Sequence, residues 1–102
     1  MRLTPLQVEI IQNAIVEHFG KQTKAWLFGS RVDDHARGGD IDLYIESNIE
    51  DAAQIFDFKL NFLIDLHKKL GNQKIDVVIR RQGFNQNLPI YQIAKETGLQ
   101  LL

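Results

Sequence analysis

The sequence predicts a single α/β domain in which a small β-sheet is flanked by helices, and three observations support this fold class. The 102 residues leave room for one domain, 1–102. The composition, 44% hydrophobic and 25% charged, is typical of a globular protein and unlike a disordered chain. Segments with helical and strand patterns alternate along the chain with short links, which indicates one layered α/β structure.

Four segments carry the start and stop signals of helices. The first has the spacing of a capping box, with Thr4 and Gln7 on either side of Pro5, and Gly20 is positioned to end it. The other three are a short helix capped by Ser30 and running towards Ala36, a long helix over 51–70 with Asn48 as its N-cap, and a last helix from Pro89 to the residue before Gly98.

Three short apolar segments predict strands between these helices. Each is rich in β-branched or aromatic residues and is bounded by glycine or polar residues. They are 24–28 (KAWLF), 41–45 (IDLYI) and 75–79 (IDVVI).

The long helix carries more apolar surface than one buried face requires. Its apolar residues cover an arc of roughly 240°, whereas a helix packed on a sheet needs a stripe of about 100°. Either the helix lies between the sheet and a terminal helix, or part of the arc contacts another protein chain. The second interpretation places the contact within a group of five residues: Phe56, Leu60, Phe62, Leu63 and Ile64.

Composition and charge exclude several classes of protein. The net charge of −1 and the pI near 6.3 disfavour direct, sequence-independent DNA binding, which normally requires a basic chain. The absence of cysteine excludes disulfides, thiolate zinc sites and cysteine nucleophiles. No apolar segment has the length of a signal peptide or a membrane span, so we expect a cytoplasmic protein with no membrane partner.

Three aspartates have the pattern of a metal site. Alternation along a strand puts Asp40 and Asp42 on one face and the apolar residues between and after them on the other. In the third strand Asp76 likewise faces away from its apolar neighbours. If the two strands are adjacent, three carboxylates converge, and oxygen ligands of this kind suit Mg²⁺ or Mn²⁺.

A glycine and a serine follow the first strand and predict a phosphate site. Gly29 allows the backbone to approach a ligand closely, and Ser30 stands where a helix N-terminus would present N–H groups to an anion. Arg31 either contacts a β- or γ-phosphate or is a solvated residue of the first turn. Metal-binding carboxylates beside a phosphate cradle are the arrangement used for transfer at phosphorus.

Other residues near these motifs have two interpretations each. Tyr44 continues the face of Asp42 and either stacks on a base or fills the floor of the site. Arg80 and Arg81 either guide a polyanion or belong to an ordinary solvated loop.

The combined motif resembles that of the nucleotidyltransferase superfamily that includes DNA polymerase β, and specifically its minimal single-domain prokaryotic branch, MNT. The motif consists of Gly-Ser, nine intervening residues, Asp-Ile-Asp and a later strand-borne aspartate. The resemblance covers residues 26–45, 75–79 and 89–98, and it implies a small mixed sheet flanked by helices.

The resemblance also implies a role for each residue of the motif. Asp40 and Asp42 would ligate both metal ions, and Asp76 would ligate the catalytic ion and help to deprotonate the attacking hydroxyl. Gly29 and Ser30 would bind the nucleoside triphosphate. All of these positions are filled, so we expect an active enzyme.

Relatives of this size resemble the antitoxin half of HEPN/MNT toxin–antitoxin pairs. The resemblance therefore implies that ATP donates AMP to a hydroxyl of a HEPN-domain partner, with Mg²⁺ or Mn²⁺ as cofactor. One alternative is transfer to a small molecule of the aminoglycoside type, in which a homo-oligomer supplies the acceptor wall. Another is a non-catalytic binding module that neutralises its partner by occlusion.

Overall fold

The computed structural model describes residues 3–29, 41–71, 73–83 and 87–102, which form a mixed sheet with helices on both faces. The strand order is β3-β2-β1-β4, with β2 and β3 parallel and the other pairs antiparallel, and this confirms the predicted fold class. The elements are α1 (Pro5–Phe19), β1 (Lys24–Phe28), β2 (Ile41–Ser47), α2 (Ala52–Leu70), β3 (Ile75–Arg81), α3 (Pro89–Thr97) and β4 (Leu99–Gln100).

The start of α1 follows the predicted capping box. The backbone N–H of Gln7 donates to Thr4 Oγ1 at 3.1 Å, and the N–H of Thr4 donates to Gln7 Oε1 at 2.9 Å. Two N–H groups that no helical carbonyl can reach are thereby satisfied. None of the helices in the described ranges is both long and apolar enough to cross a membrane.

The start of α2 differs from the prediction, because Asp51 and not Asn48 is its N-cap. Asp51 Oδ1 accepts from the N–H of Ala53 at 2.8 Å, so the helix begins at residue 52. The Asn48 side chain donates instead to Gln22 Oε1 at 2.8 Å. Both residue types favour N-caps, and only the path of the chain after β2 decides between them.

The strand β1 has its predicted bounds, whereas β2 and β3 are longer than predicted and one strand was not predicted at all. β2 and β3 each continue two residues beyond the predicted 41–45 and 75–79. The two residues of β4 pair with β1, opposite Trp26 and Leu27. The short helix predicted between Ser30 and Ala36 lies outside the described residues.

The main core lies between one face of the sheet and helices α1 and α2. The apolar residues of β2, namely Ile41, Leu43 and Ile45, are fully buried there. From α2, Phe62 is also fully buried, with its ring centroid 5.3 Å from that of Phe19 on α1. Of the five residues that could form an intermolecular contact, Phe62 is therefore excluded, because it belongs to the internal core.

A second apolar stripe of α2 faces solvent. Phe56, Leu60 and Ile64 have exposed fractions of 60%, 44% and 54%, and Leu63 lies partly buried at the margin of the core. Packing against α1 thus explains part of the wide apolar arc, and this stripe is the part that it leaves unexplained.

Candidate functional site

The sheet face opposite α1 and α2 carries three rows of side chains that run across β1, β2 and β3. The strand register defines each row, and successive rows are two residues apart, which is about 7 Å. We name them the carboxylate row (Phe28, Asp42, Asp76), the aromatic row (Trp26, Tyr44, Val78) and the charged row (Lys24, Glu46, Arg80).

The carboxylate row brings together two of the predicted site residues. Asp42 and Asp76 are register partners on parallel neighbouring strands, which lie about 4.8 Å apart. The Asp76 side chain is 52% exposed, and Asp42 is partly buried. Lys74 Nζ lies 4.0 Å from Asp76 Oδ2. β2 and β3 are therefore adjacent, as the convergence of Asp42 and Asp76 requires.

Gly29 lies against the Asp42 carboxylate. Its φ of +79° falls in the left-handed region, which L side chains rarely adopt. A Cβ added at Gly29 would overlap Asp42 Oδ2 and lie 3.1 Å from its Cγ. Glycine is therefore required both by the backbone conformation and by the Asp42 carboxylate, which occupies the place that a Cβ would take.

The structure thus groups Gly29, Asp42 and Asp76 at one end of the sheet, where β1 ends and β2 and β3 begin. The three remaining predicted site residues, Ser30, Arg31 and Asp40, lie outside the described residues.

The described residues of this end fit a divalent cation. Two carboxylates on the same face of adjacent strands repel one another, and such like-charged pairs destabilise a sheet. A hard cation relieves that repulsion, and carboxylate oxygens are the ligands that Mg²⁺ and Mn²⁺ prefer. The exposure of Asp76 leaves the pair accessible from solvent.

The aromatic row closes the middle of the same face. The Tyr44 ring is fully buried between Trp26 and Tyr91 of α3, with centroid distances of 5.4 and 5.3 Å. Its hydroxyl donates to Glu46 Oε2 at 2.7 Å, and burial together with this carboxylate raises the pKa of Tyr44. Tyr44 therefore fills the floor beneath α3, and the interpretation that it stacks on a nucleotide base is wrong.

The charged row includes residues that the sequence analysis missed. Lys95 of α3 reaches it, with Nζ 3.2 Å from Glu46 Oε2 and 5.3 Å from the Trp26 ring centroid. Lys24 is the register partner of Glu46. The sequence could have placed Lys24 on this face, because it lies two residues before Trp26 on the same strand. No short-range pattern in the sequence connects Lys95 to β2.

A second group of titratable residues lies on the helical side of the molecule. Glu17, His18 and Asp65 bring possible ligand atoms within 4.8 Å of one another. His18 Nε2 is 3.1 Å from Asp65 Oδ2, and Lys69 Nζ is 3.2 Å from Asp65 Oδ1. The hydrogen bond to His18 is the main cause that lowers the pKa of Asp65. We interpret this group as a structural network of polar contacts, because both oxygens of Asp65 already have partners, His18 and Lys69.

Comparison with known proteins identifies one matching family. The family model described as "Polymerase beta, Nucleotidyltransferase" matches residues 9–99, which is all of the chain except its two ends. The matched region contains the whole carboxylate row and Gly29. No curated protein matches the chain.

Proposed function

Because the chain belongs to the polymerase beta nucleotidyltransferase family, we propose that it is a metal-dependent enzyme that transfers a nucleoside monophosphate to an acceptor hydroxyl. Its function is of the nucleotidyltransferase type, and the metal requirement and the acceptor are the proposed refinements. The observation that carries them is the carboxylate row, in which Asp42 and Asp76 are register partners and Gly29 lies against Asp42.

Three carboxylates, Asp40, Asp42 and Asp76, would hold Mg²⁺ or Mn²⁺. When bound, the cation supplies neutralisation of phosphate charge and orientation of the reacting oxygens. The hydroxyl oxygen of the acceptor forms a bond to the α-phosphorus, and the bond from that phosphorus to pyrophosphate breaks. Asp76, which is the more exposed of the two described carboxylates, would take the hydroxyl proton.

The triphosphate would lie at the end of β1. Because Gly29 has no side chain, the Asp42 carboxylate lies directly against the backbone at the end of β1, so the metal-binding carboxylate and the backbone that would contact the phosphates are adjacent. Ser30 would donate its hydroxyl to the same phosphates, and Arg31 would contact the β- or γ-phosphate. ATP is the proposed donor, which makes AMP the transferred group.

The proposed acceptor is a hydroxyl of a HEPN-domain protein, with this chain as the antitoxin of the pair. The exposed stripe of α2 (Phe56, Leu60 and Ile64) supports a protein partner, because monomers rarely leave contiguous apolar patches uncovered. The three residues recur every four positions and form a ridge inclined to the helix axis, and apolar ridges of this spacing are suited to packing against a helix of a partner. A helical HEPN domain offers such a surface.

The metal and nucleotide site can be tested without knowing the acceptor. A ligand that binds only the folded state at a hundredfold excess over its Kd stabilises it by about 2.7 kcal/mol. Mg-ATP should therefore raise the melting temperature of the wild type but have little effect on Asp42→Asn. Asp57→Asn on α2 is the matched control, since it removes an exposed carboxylate far from the carboxylate row. An unchanged melting curve of the wild type at millimolar Mg-ATP would contradict the proposed site.

Catalysis and the partner are tested together with radiolabelled ATP and the product of the neighbouring gene, which the proposal expects to be the HEPN protein. Asp42→Asn and Asp76→Asn should each reduce transfer of label by orders of magnitude, because metal positioning supplies much of the barrier reduction. If the variants still neutralise the partner, the activity is occlusion and not modification. Labelling of a small hydroxyl compound and not of the protein would favour the aminoglycoside-type alternative.

The α2 stripe is tested by size-exclusion chromatography with light scattering, with and without that HEPN protein. Leu60→Glu should abolish or strongly weaken the complex, because it places a charge at the centre of an apolar contact. Gln54→Glu adds the same charge outside the stripe and should leave association intact. Self-association that Leu60→Glu disrupts would assign the stripe to a homo-oligomer. If the protein is monomeric and does not bind the HEPN protein, the stripe is not an interface and α2 has only an internal packing role.

A further inference from the structure

A polar cavity of about 510 Å³ opens at the end of the sheet that carries the charged row. The parallel strands β2 and β3 end there, so the cavity lies at their carboxyl edge. Ligands of α/β proteins commonly bind beyond the carboxyl ends of parallel strands. Asp42 and Glu46 are four residues apart on β2, which places the cavity about 13 Å from the carboxylate row.

The cavity is positively charged although the whole chain carries a net charge of −1. Among the described residues that line it, the cationic side chains are Lys24, Arg80, Arg81 and Lys95, and the one carboxylate is that of Glu46. Glu46 is already paired, because Lys95 Nζ is 3.2 Å and the Tyr44 hydroxyl 2.7 Å from its Oε2. An excess of positive charge therefore remains towards any ligand that enters.

Aromatic rings and the backbone hold three of these cations in place. The Arg80 guanidinium lies 5.3 Å from the Tyr91 ring centroid. Lys95 Nζ lies 5.3 Å from the Trp26 ring centroid. Arg81 Nη1 donates to the carbonyl of Glu50 at 2.8 Å. Because these side chains are already ordered, less conformational entropy is lost when they bind a ligand.

We propose that this cavity is a second anion site, which binds a phosphate-bearing ligand separately from the nucleotide at the carboxylate row. Arginine and lysine together are the residue types that bind phosphate, through charge-assisted hydrogen bonds. The aromatic row, in which Trp26 and Tyr44 are buried, separates the cavity from Asp42 and Asp76, so this anion is a different group from the donor triphosphate. The site does not depend on the proposed transfer reaction.

The experiment titrates the full chain with inorganic phosphate, and separately with AMP, in EDTA and at constant ionic strength. EDTA removes divalent metal and so prevents metal-dependent binding at the carboxylate row. A failure to bind phosphate in this experiment is therefore distinguishable from a failure of the proposed function. Amide shifts in two-dimensional NMR spectra should saturate for residues 46–48 and 80–83, and those of Asp42 and Asp76 should not move. Tighter binding of AMP than of phosphate would identify a nucleotide as the ligand, and equal affinities would identify the phosphoryl group alone; both support the site.

Two substitutions with opposite expected signs sharpen the test. Lys24→Gln should weaken phosphate binding about tenfold, because it removes one charge-assisted contact. Glu46→Gln should strengthen binding, because it removes the one carboxylate and keeps an oxygen that can accept from Tyr44. Lys68→Gln, on the exposed side of α2, is the matched control and should have no effect. Shifts that do not saturate, or equal weakening by Lys24→Gln and Lys68→Gln, would overturn the proposal.

Discussion

The carboxylate row and the charged row lie on the same face of the same three strands, but their charges are balanced differently. In the charged row, Glu46 pairs with Lys95 at 3.2 Å and Arg80 lies over an aromatic ring. In the carboxylate row, two like charges are register partners, and Lys74 is 4.0 Å from Asp76. The protein itself arranges the cations at one end, whereas at the other end strand pairing holds like charges together. The first end is suited to an anionic ligand and the second to a cation.

The aromatic row keeps these two ends independent. Tyr44 is fully buried, and Trp26 and Tyr91 are 6% and 4% exposed, so the region between the ends excludes water. Sites separated by about 13 Å without shared partners usually respond additively to substitution. Changes at one end should therefore leave the ligand response of the other end intact.

The largest effect is expected for Gly29→Ala at the carboxylate end. Alanine would have to adopt a φ near +79° and would overlap the Asp42 carboxylate, so the unfolding free energy should fall by about 1–3 kcal/mol. The displaced carboxylate should also abolish the rise in melting temperature with Mg-ATP. Urea denaturation and thermal melts measure the two effects.

Gly20→Ala is the matched control for this prediction. Gly20 also has a positive φ, +103°, but a Cβ there meets no atom within 4 Å. The Gly20→Ala variant should therefore lose stability from backbone strain alone, and Mg-ATP should still raise its melting temperature. A preserved response in Gly29→Ala would show that the close approach to Asp42 has no functional role.

An intermediate effect is expected for Tyr44→Phe in the aromatic row. The substitution removes a hydroxyl that donates to Glu46, so the unfolding free energy at neutral pH should fall by about 1 kcal/mol. Urea denaturation measures this loss. Phosphate binding at the charged end should change little, because Glu46 keeps its contact with Lys95.

The same variant tests the pH dependence of stability. Burial raises the pKa of Tyr44 above its ordinary value of 10.0, so the unfolded chain releases this proton before the folded chain does. The stabilising effect of the neutral phenol is fully present below pH 10 and is lost as pH rises above it. Wild-type stability should therefore fall above pH 10 more steeply than that of Tyr44→Phe. Identical slopes would show that Tyr44 ionises as easily in the folded protein as in the unfolded chain.

The smallest effect is expected for Asp76→Asn without metal. The variant removes one of two like charges on adjacent strands, so the apo protein should become more stable by about 0.5 kcal/mol. The gain is small because Asp76 is half exposed, and it should shrink as salt is added. With Mg-ATP the order should reverse, because only the wild type gains from the ligand. Destabilisation of the apo variant would contradict the repulsion between Asp42 and Asp76.

Local patterns in the sequence were enough to predict most elements. The capping box of Thr4 and Gln7 involves residues three positions apart, and both ends of α3 follow from Pro89 and Gly98. Strand parity is equally local, so the opposite orientations of Asp42 and the apolar residues beside it were predictable. These features depend on chain periodicity and on nearest neighbours, which a single sequence contains in full.

Contacts between distant segments were decided only by the tertiary structure. The wide apolar arc of α2 was visible in the sequence, but only packing against α1 showed that Phe62 is buried and that Phe56, Leu60 and Ile64 are exposed. A helical wheel gives relative angles and no direction towards the sheet. The two-residue strand β4 had no sequence signal, because it exists only through its pairing with β1.

The candidate site shows the same division between sequence and tertiary structure. The residue types of Gly29, Asp42 and Asp76 predicted phosphate and metal chemistry, and the parity of each strand predicted the face on which they lie. That Asp42 stands directly beside Asp76, that its carboxylate lies against Gly29, and that Lys95 reaches the charged row all depend on strand register and on the placement of α3. Register and helix placement are determined by the packing of the whole core, because a shift of one residue would turn every side chain of a strand to the opposite face.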